Sequence, residues 1–365
     1  MMTSTARGAR SVPSSRERGF SLIEMLVAIL LFSIFMIGIL TFLDFSSRLS
    51  QTESALADTQ ENVRYAAYHV MRTARMMGGG KIPFAHDPGS GTVTWAAGEV
   101  LNNQSGTVTG TTVGTINNVM PGSDILIVSG FFEESPYFVA PSNVVISGSN
   151  TDIRVFKKFS NPTVASYSTT SNIFQGKGVV LMGKDTYTVG LVNAGSAYGG
   201  SDPDDYMDLK VTDPSTYLAN MNLAVSPYPP TFPVARVGIL DTYAYYVHDN
   251  GTLMRIRFPR SPLTDPGEAV AINIGGFQIG VGLDTSSPAD GMLDAWQATP
   301  TLAAVGAARA VAIRITVLGR TPFDVADWIE PLGTFNVEDM NAALMNRGAK
   351  WRRMQVTAAL RNFIL

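Results

Sequence analysis

From Phe20 to Leu43 this chain carries no charge except Glu24, and from Asp44 to Met77 it carries neither proline nor glycine. Together the two stretches dictate one unbroken helix, its first half suited to lipid and its second half to water. The apolar run exceeds the roughly 20 residues that a helix needs to cross a bilayer core. Before it stands a leader, residues 1–19, with Arg7, Arg10, Arg16 and Arg18, whereas its far flank is Asp44, Ser46 and Ser47. The excess of arginine keeps the leader side in the cytoplasm and sends everything after Leu43 across the membrane. A secretory signal peptide would be shorter and would end in small residues after its apolar part. Here the candidate cleavage point, Gly19, precedes the apolar run, so cutting there leaves the helix on the mature chain.

Beyond the membrane run, apolar or small residues recur at Phe45, Leu49, Thr52, Leu56, Thr59, Val63, Ala66, Val70, Ala74 and Met77. Steps of three and four put them on one helical stripe. The polar face carries Arg48, Glu53, Asp58, Glu61, Arg64, Arg72 and Arg75, and Gly78-Gly79-Gly80 followed by Pro83 ends the helix. A helix from Phe20 to Met77 would be roughly 87 Å long at 1.5 Å per residue. Its water-side half, residues 44–77, needs an apolar partner, and the candidate within the chain is the domain that follows.

That domain reads as β-rich. Short β-branched or aromatic runs recur at Asp124 to Ser129, Asn143 to Ser147, Asp152 to Phe159, Gly178 to Met182, Tyr187 to Val192, Val234 to Ile239, Tyr243 to His248, Thr252 to Phe258, Phe277 to Gly282, Ala310 to Leu318 and Arg353 to Arg361. Gly, Pro, Asn and Ser separate them. The clearest hairpin is Tyr243 to Phe258, because Asp249-Asn250-Gly251 tolerates the positive φ of a tight turn. The stretch from Gly89 to Thr115 reads as exposed loops or edge strands. Pro227, Pro229, Pro230 and Pro233 form a rigid connection dividing an insert-rich region, 78–233, from a more regular one, 234–365. A late helix is expected over Val337 to Asn346. The fold class is therefore α+β, a long N-terminal helix packed on an antiparallel sheet domain.

Composition excludes several functions. Of 365 residues only 16% are charged and the formal net charge is -3, so the chain lacks the basic surface that neutralises nucleic-acid phosphates. It has no cysteine, hence no disulfide or thiolate metal site, and the core holds by packing alone. His69, His86 and His248 are the only histidines, and none stands at metal-ligand spacing from another or beside a nucleophile motif. No glycine run has phosphate-cradling spacing. The chain reads as no enzyme.

Gly19-Phe20-Ser21-Leu22-Ile23-Glu24, followed by about 20 apolar residues, resembles the class III signal of type IV prepilins and of type II secretion pseudopilins. The resemblance implies a cut between Gly19 and Phe20 by a membrane-embedded prepilin peptidase, methylation of the Phe20 amine, and a type IV pilin-like architecture. It also implies residence first in the inner membrane, with the C-terminal domain in the periplasm, and later in a surface pilus. The leader is somewhat long for the best-known pilins, and Thr41 stands where many have a helix-loosening proline. Gln60 to Ala66, Met71 to Gly78, Tyr245 to Val247, Phe277 to Asp284 and Trp351 to Asn362 resemble PilW-like minor pilins. That likeness implies a minor pilin that initiates or caps a pilus, its helix in contact with other minor pilins and the major pilin. The alternatives are a J-like secretion pseudopilin and a pilus-tip adhesin.

Glu24 is costly where it stands, since a carboxylate near the centre of a membrane helix costs on the order of 2.5 to 3.5 kcal/mol on insertion scales. After a cut at Gly19 it would lie one turn, about 6 Å, from the new amine, whose charge opposes the helix dipole. It either snorkels into headgroups or, as the resemblance implies, pairs with the N-terminal amine of a neighbouring subunit. Two acidic clusters are candidate calcium ligands, a cation that takes oxygen donors: Asp202, Asp204, Asp205 and Asp208, and Asp284, Asp290 and Asp294. The second has a glycine-containing loop, but its spacing is not that of an EF-hand. No other cofactor is expected.

Overall fold

The computed structural model describes residues 20–77, 85–86, 95–96, 98–111, 114–130, 132, 137–147, 150–157, 174, 178–183, 187–192, 197–199, 206–212, 233–258, 267–288, 290–298, 309–325, 328–329, 337–340 and 346–360. The expected stops at Gly78–Gly80 and Pro83, the prolines at 227–230 and the middle of the late helix lie outside them. Of that helix, Val337 to Met340 form a turn, with the Met340 N–H donating to the Val337 carbonyl at 2.9 Å. One helix, α1, runs from Leu22 to Met76, 55 residues or roughly 82 Å. The chain divides into two compact units after Ser54.

In the first unit α1 is long and apolar enough to cross a membrane, and its side chains are exposed. Its two mid-run hydroxyls are satisfied locally: Ser33 donates to the Ile29 carbonyl and Thr41 to the Ile37 carbonyl, each at 2.8 Å. That removes the cost of unpaired polar groups in lipid. The helix passes through Gly38 unbroken, with open space where a Cβ would stand. Phe45 and Leu49, expected on the buried stripe, are 64% and 50% exposed. They prolong the apolar surface of the first unit.

In the second unit the strands are β1 (Ala85–His86), β2 (Trp95–Ala96), β3 (Gly98–Thr111), β4 (Gly114–Gly130), β5 (Tyr137–Ser147), β6 (Asn150–Lys157), β7 (Gly178–Met182), β8 (Tyr187–Val192), β9 (Ala197–Gly199), β10 (Tyr206–Thr212), β11 (Arg236–Ile239), β12 (Asp241–Val247), β13 (Leu253–Phe258), β14 (Glu268–Ala271), β15 (Ile274–Asp284), β16 (Ala295–Gln297), β17 (Arg309–Arg320) and β18 (Trp351–Ala359). Among the described residues they form a small β1-β2 ribbon, a seven-stranded sheet ordered β11-β7-β8-β10-β6-β5 with β9 on β10, a five-stranded sheet β14-β13-β12-β4-β3, and a four-stranded sheet β16-β15-β17-β18. Pairing crosses residue 233, because β11 lies on β7 and β12 on β4. The stretch expected as loops or edge strands supplies β3, an edge strand.

The helix-to-sheet contact is a close one. Leu56, Thr59, Val63, Ala66, Ala67, Val70 and Ala74 of α1 are buried, and those from Val63 onward join one core with β4, β12, β13, β15 and β17. Alanine lets the helix backbone approach the sheet, and Gly319 of β17 lets it approach further. A Cβ at Gly319 would stand 2.3 Å from Val63 Cγ2 and 2.8 Å from Thr59 Cγ2. Higher up, the Tyr245 hydroxyl lies 2.8 Å from Thr73 Oγ1 and 3.4 Å from His69 Nδ1. His69 of α1 is half-buried and stacked edge-on to Tyr245. Burial, with Arg255 nearby, holds its imidazole below the ordinary range.

A second core lies on the seven-stranded sheet, built from Ile153, Val155, Phe174, Val179, Leu181, Leu209, Val211 and Val237 among others. Alternation explains how β7 serves both: Val179 and Leu181 face this core while Val180 and Met182 face the helix-side one. The expected hairpin is present. His248 accepts from the Gly251 N–H at 2.8 Å, and Gly251 has φ +83°.

Asp124 joins two sheets. It sits on β4 with no exposed surface; its Oδ1 accepts the Asn103 N–H at 2.9 Å and its Oδ2 the Ile279 N–H of β15 at 2.8 Å. Beside it Gln278 Nε2 donates to the Gly122 carbonyl at 2.6 Å. Side chains thus replace a backbone ladder between β4 and β15. Burial pushes the Asp124 carboxyl up to about 7, with Asp339 and Glu338 adding to the rise and the two N–H bonds opposing it. The folded state therefore holds a proton that the unfolded chain releases near 3.8, so this contribution is full below about pH 4 and lost as pH rises through about 7. The difference in unfolding free energy between wild type and Asp124→Asn should fall between pH 4 and pH 7 by up to about 1.4 kcal/mol per unit. Urea titrations of both proteins across that range read it directly.

Candidate assembly site

The helix begins with a reciprocal cap. Ser21 precedes α1, and its N–H donates to Glu24 Oε2 at 3.0 Å while the Glu24 N–H donates to Ser21 Oγ at 3.3 Å. Two backbone donors that a helix start leaves unpaired are satisfied at once, which matters most where no water is at hand. Glu24 Oε1 has no partner among the described residues. Phe20, just outside the helix, is 84% exposed. Gly19 lies outside the described residues. Sequence reasoning assigned Glu24 to an amine and overlooked its tie to Ser21, although a Ser followed three residues later by Glu is the signal for such a cap.

The second acidic cluster is organised by its own loop. Asp284 accepts the Ser286 N–H at 3.0 Å and the Gly291 N–H at 2.7 Å. Asp294 Oδ2 accepts the Thr285 N–H at 2.7 Å together with the Thr285 and Ser286 hydroxyls, and these donors hold its carboxyl below the usual range. Asp290 accepts the Met292 N–H at 2.8 Å. Asp284 and Asp294 share Ser286 as a donor within one loop, and among the described residues no three Asp, Glu, His or Cys side chains gather as a metal site. In the first cluster Asp202, Asp204 and Asp205 lie outside the described residues. Asp208 forms a two-pronged pair with Arg154, at 2.7 and 2.9 Å.

Residues 14–40 match the family described as the prokaryotic N-terminal methylation motif. The matched segment holds Gly19, Phe20, Ser21 and Glu24. The motif opens an apolar N-terminal helix that continues into antiparallel sheets, the α+β architecture expected from the sequence. Among solved structures the chain is similar to a type IV-like pilin from Thermus thermophilus at 12% identity, over 53% of this chain and 87% of that one. The TM-score there is 0.24, too low to carry an argument. A comparison with curated proteins finds no match.

Because the loop carboxylates around Asp284 are engaged by loop donors, calcium should add nothing to stability. The thermal unfolding midpoint should be the same in millimolar calcium and in chelator, whereas Asp294→Ala should lower it equally in both. A calcium-dependent rise that Asp294→Ala abolishes would contradict this reading.

Proposed function

We propose that the chain is a PilW-like minor pilin, cut after Gly19 and methylated at Phe20, which helps initiate or cap a type IV pilus. The observation that carries the reading is Glu24, whose Oε2 closes the helix cap while Oε1 has no partner among the described residues. Processing supplies an ammonium at Phe20, and the pair that directs assembly joins Glu24 of one subunit to the Phe20 ammonium of a neighbour. Moving α1 from lipid to equally apolar protein brings little hydrophobic gain, so packing and this charge pair direct docking. Size supports a minor role: removing residues 1–19 from 365 leaves 346, a bulky subunit for a fibre in which every copy must pack on the next. The partners are a prepilin peptidase, the membrane, and other pilins along α1.

A second reading, a pilus-tip adhesin, is supported by the seven-stranded sheet, which has a hydrophobic core of its own. It predicts surface binding that the helix alone does not explain. For the first reading the decisive variant is Glu24→Ala. Its processing and membrane insertion should be normal, while its amount in sheared filaments should fall at least about tenfold, the loss expected when one partner of a desolvated ion pair is removed. Normal incorporation of the variant would sink the mechanism.

A further inference from the structure

The turn from Val337 to Met340 covers one face of the four-stranded sheet. On that face Gly276, Gln278 and Gly280 of β15 stand opposite Leu318, Thr316 and Arg314 of β17. A Cβ at Gly276 would stand 3.2 Å from Met340 Sδ, and one at Gly280 would stand 3.3 Å from both Glu338 oxygens. Asp339, between Glu338 and Met340, therefore passes over the Gln278–Thr316 pair. Gln278 has no exposed surface and Thr316 almost none. Four side-chain oxygens are left there without a donor: Gln278 Oε1, Thr316 Oγ1, Asp339 Oδ1 and Asn102 Oδ1 are closed to solvent and have no hydrogen-bond partner among the described residues. Asn102 belongs to this group because its Nδ2 donates to Asp339 Oδ2 at 2.6 Å, the oxygen that also accepts Asn103 Nδ2 at 2.9 Å. Neither amide can be turned round. Exchanging N and O would set an Asn102 oxygen against Asp339 Oδ2 and a Gln278 oxygen against the Gly122 carbonyl.

Buried oxygens are costly to leave unpaired, and a group of them calls for a positive occupant. The charge open to it is that of Asp339. Glu338 is matched by Arg314, and both Asp124 oxygens accept backbone N–H groups. One buried negative charge balances one positive charge, whereas a divalent ion would leave an excess charge in a place closed to water. Carboxylate, amide and hydroxyl oxygens suit a hard cation. A water molecule offers no charge to set against Asp339, and a basic side chain of another molecule cannot reach oxygens that are closed to solvent. A small ion can enter beside Asn103, which is exposed. We infer that Asp339 Oδ1, Asn102 Oδ1, Gln278 Oε1 and Thr316 Oγ1 bind one alkali-metal cation, sodium or potassium, which ties the turn at 337–340 to β3, β15 and β17.

The full chain, purified in detergent, is unfolded thermally in sodium, potassium or choline chloride at equal ionic strength. Screening is then the same throughout, and choline is too large to enter. At about ten times its half-saturating concentration the bound ion should raise the midpoint by about 3 °C over choline. Asp339→Asn keeps the shape and removes the charge. Its midpoint should be the same in all three salts, and in choline it should equal or exceed that of wild type. Gln278→Ala keeps the charge and loses one ligand, so it should still respond, with half-saturation shifted upward by at least about tenfold. If Asp339→Asn does not fold, the Gln278→Ala titration decides alone. Equal wild-type midpoints in the three chlorides, a response that neither variant alters, or a rise in calcium alone would overturn the inference. None of these readouts depends on pilus assembly, so their failure leaves the pilin reading intact.

Discussion

The close seating of α1 on its sheets governs the second unit. Val63 and Thr59 rest against the bare Cα of Gly319, and Ala66, Ala67 and Ala74 keep the helix backbone near the strands. Larger residues at these points would force the helix off the sheet and open voids that a tightly packed interior does not tolerate. A helix so held needs few polar anchors. Thr73 and Tyr245 provide one within the core, and Thr59 Oγ1 provides another, weaker one where it donates to the Arg320 carbonyl of β17 at 3.4 Å.

Where the sheets do not pair by backbone, charged side chains take over. Asp124 bridges β4 and β15, and Arg314 is gripped by Glu338 at 2.5 and 2.7 Å while its guanidinium lies 4.3 Å from the centre of the Trp296 ring. Gly280 leaves room for this, since a Cβ there would stand 3.3 Å from both Glu338 oxygens. Burial first, and then the nearby carboxylates of Asp339 and Glu338, make Asp124 retain its proton so readily. Stability and acidity in this domain are two aspects of one arrangement.

Much of this was legible beforehand because its signals are local. The unbroken helix follows from the absence of Pro throughout and of Gly beyond Gly38, β7 and β8 from compact β-branched runs, and the β12–β13 hairpin from Asp249-Asn250-Gly251. The rest depends on distant partners. His69 stands between Tyr68 and Val70 with nothing near it in sequence to announce a partner, and Tyr245 is brought to it only by folding. Asp208 read as a candidate calcium ligand because nothing nearby in sequence announces Arg154 across the β6–β10 pairing. Phe45 and Leu49 match the stripe in period, yet burial starts only further along α1. At the candidate site the segment that holds Gly19, Phe20 and Glu24 matches the methylation motif, whereas the Ser21 cap is a matter of hydrogen-bond spacing that the charge pattern does not announce.

The central claim is that α1 stays with the mature chain and begins at a new amine on Phe20, one turn from Glu24. The intact mass of the protein purified from membranes tests it most directly. The account predicts loss of residues 1–19 and the gain of a single methyl group on Phe20. A mature chain that begins beyond Leu43, with the apolar run removed, would contradict it.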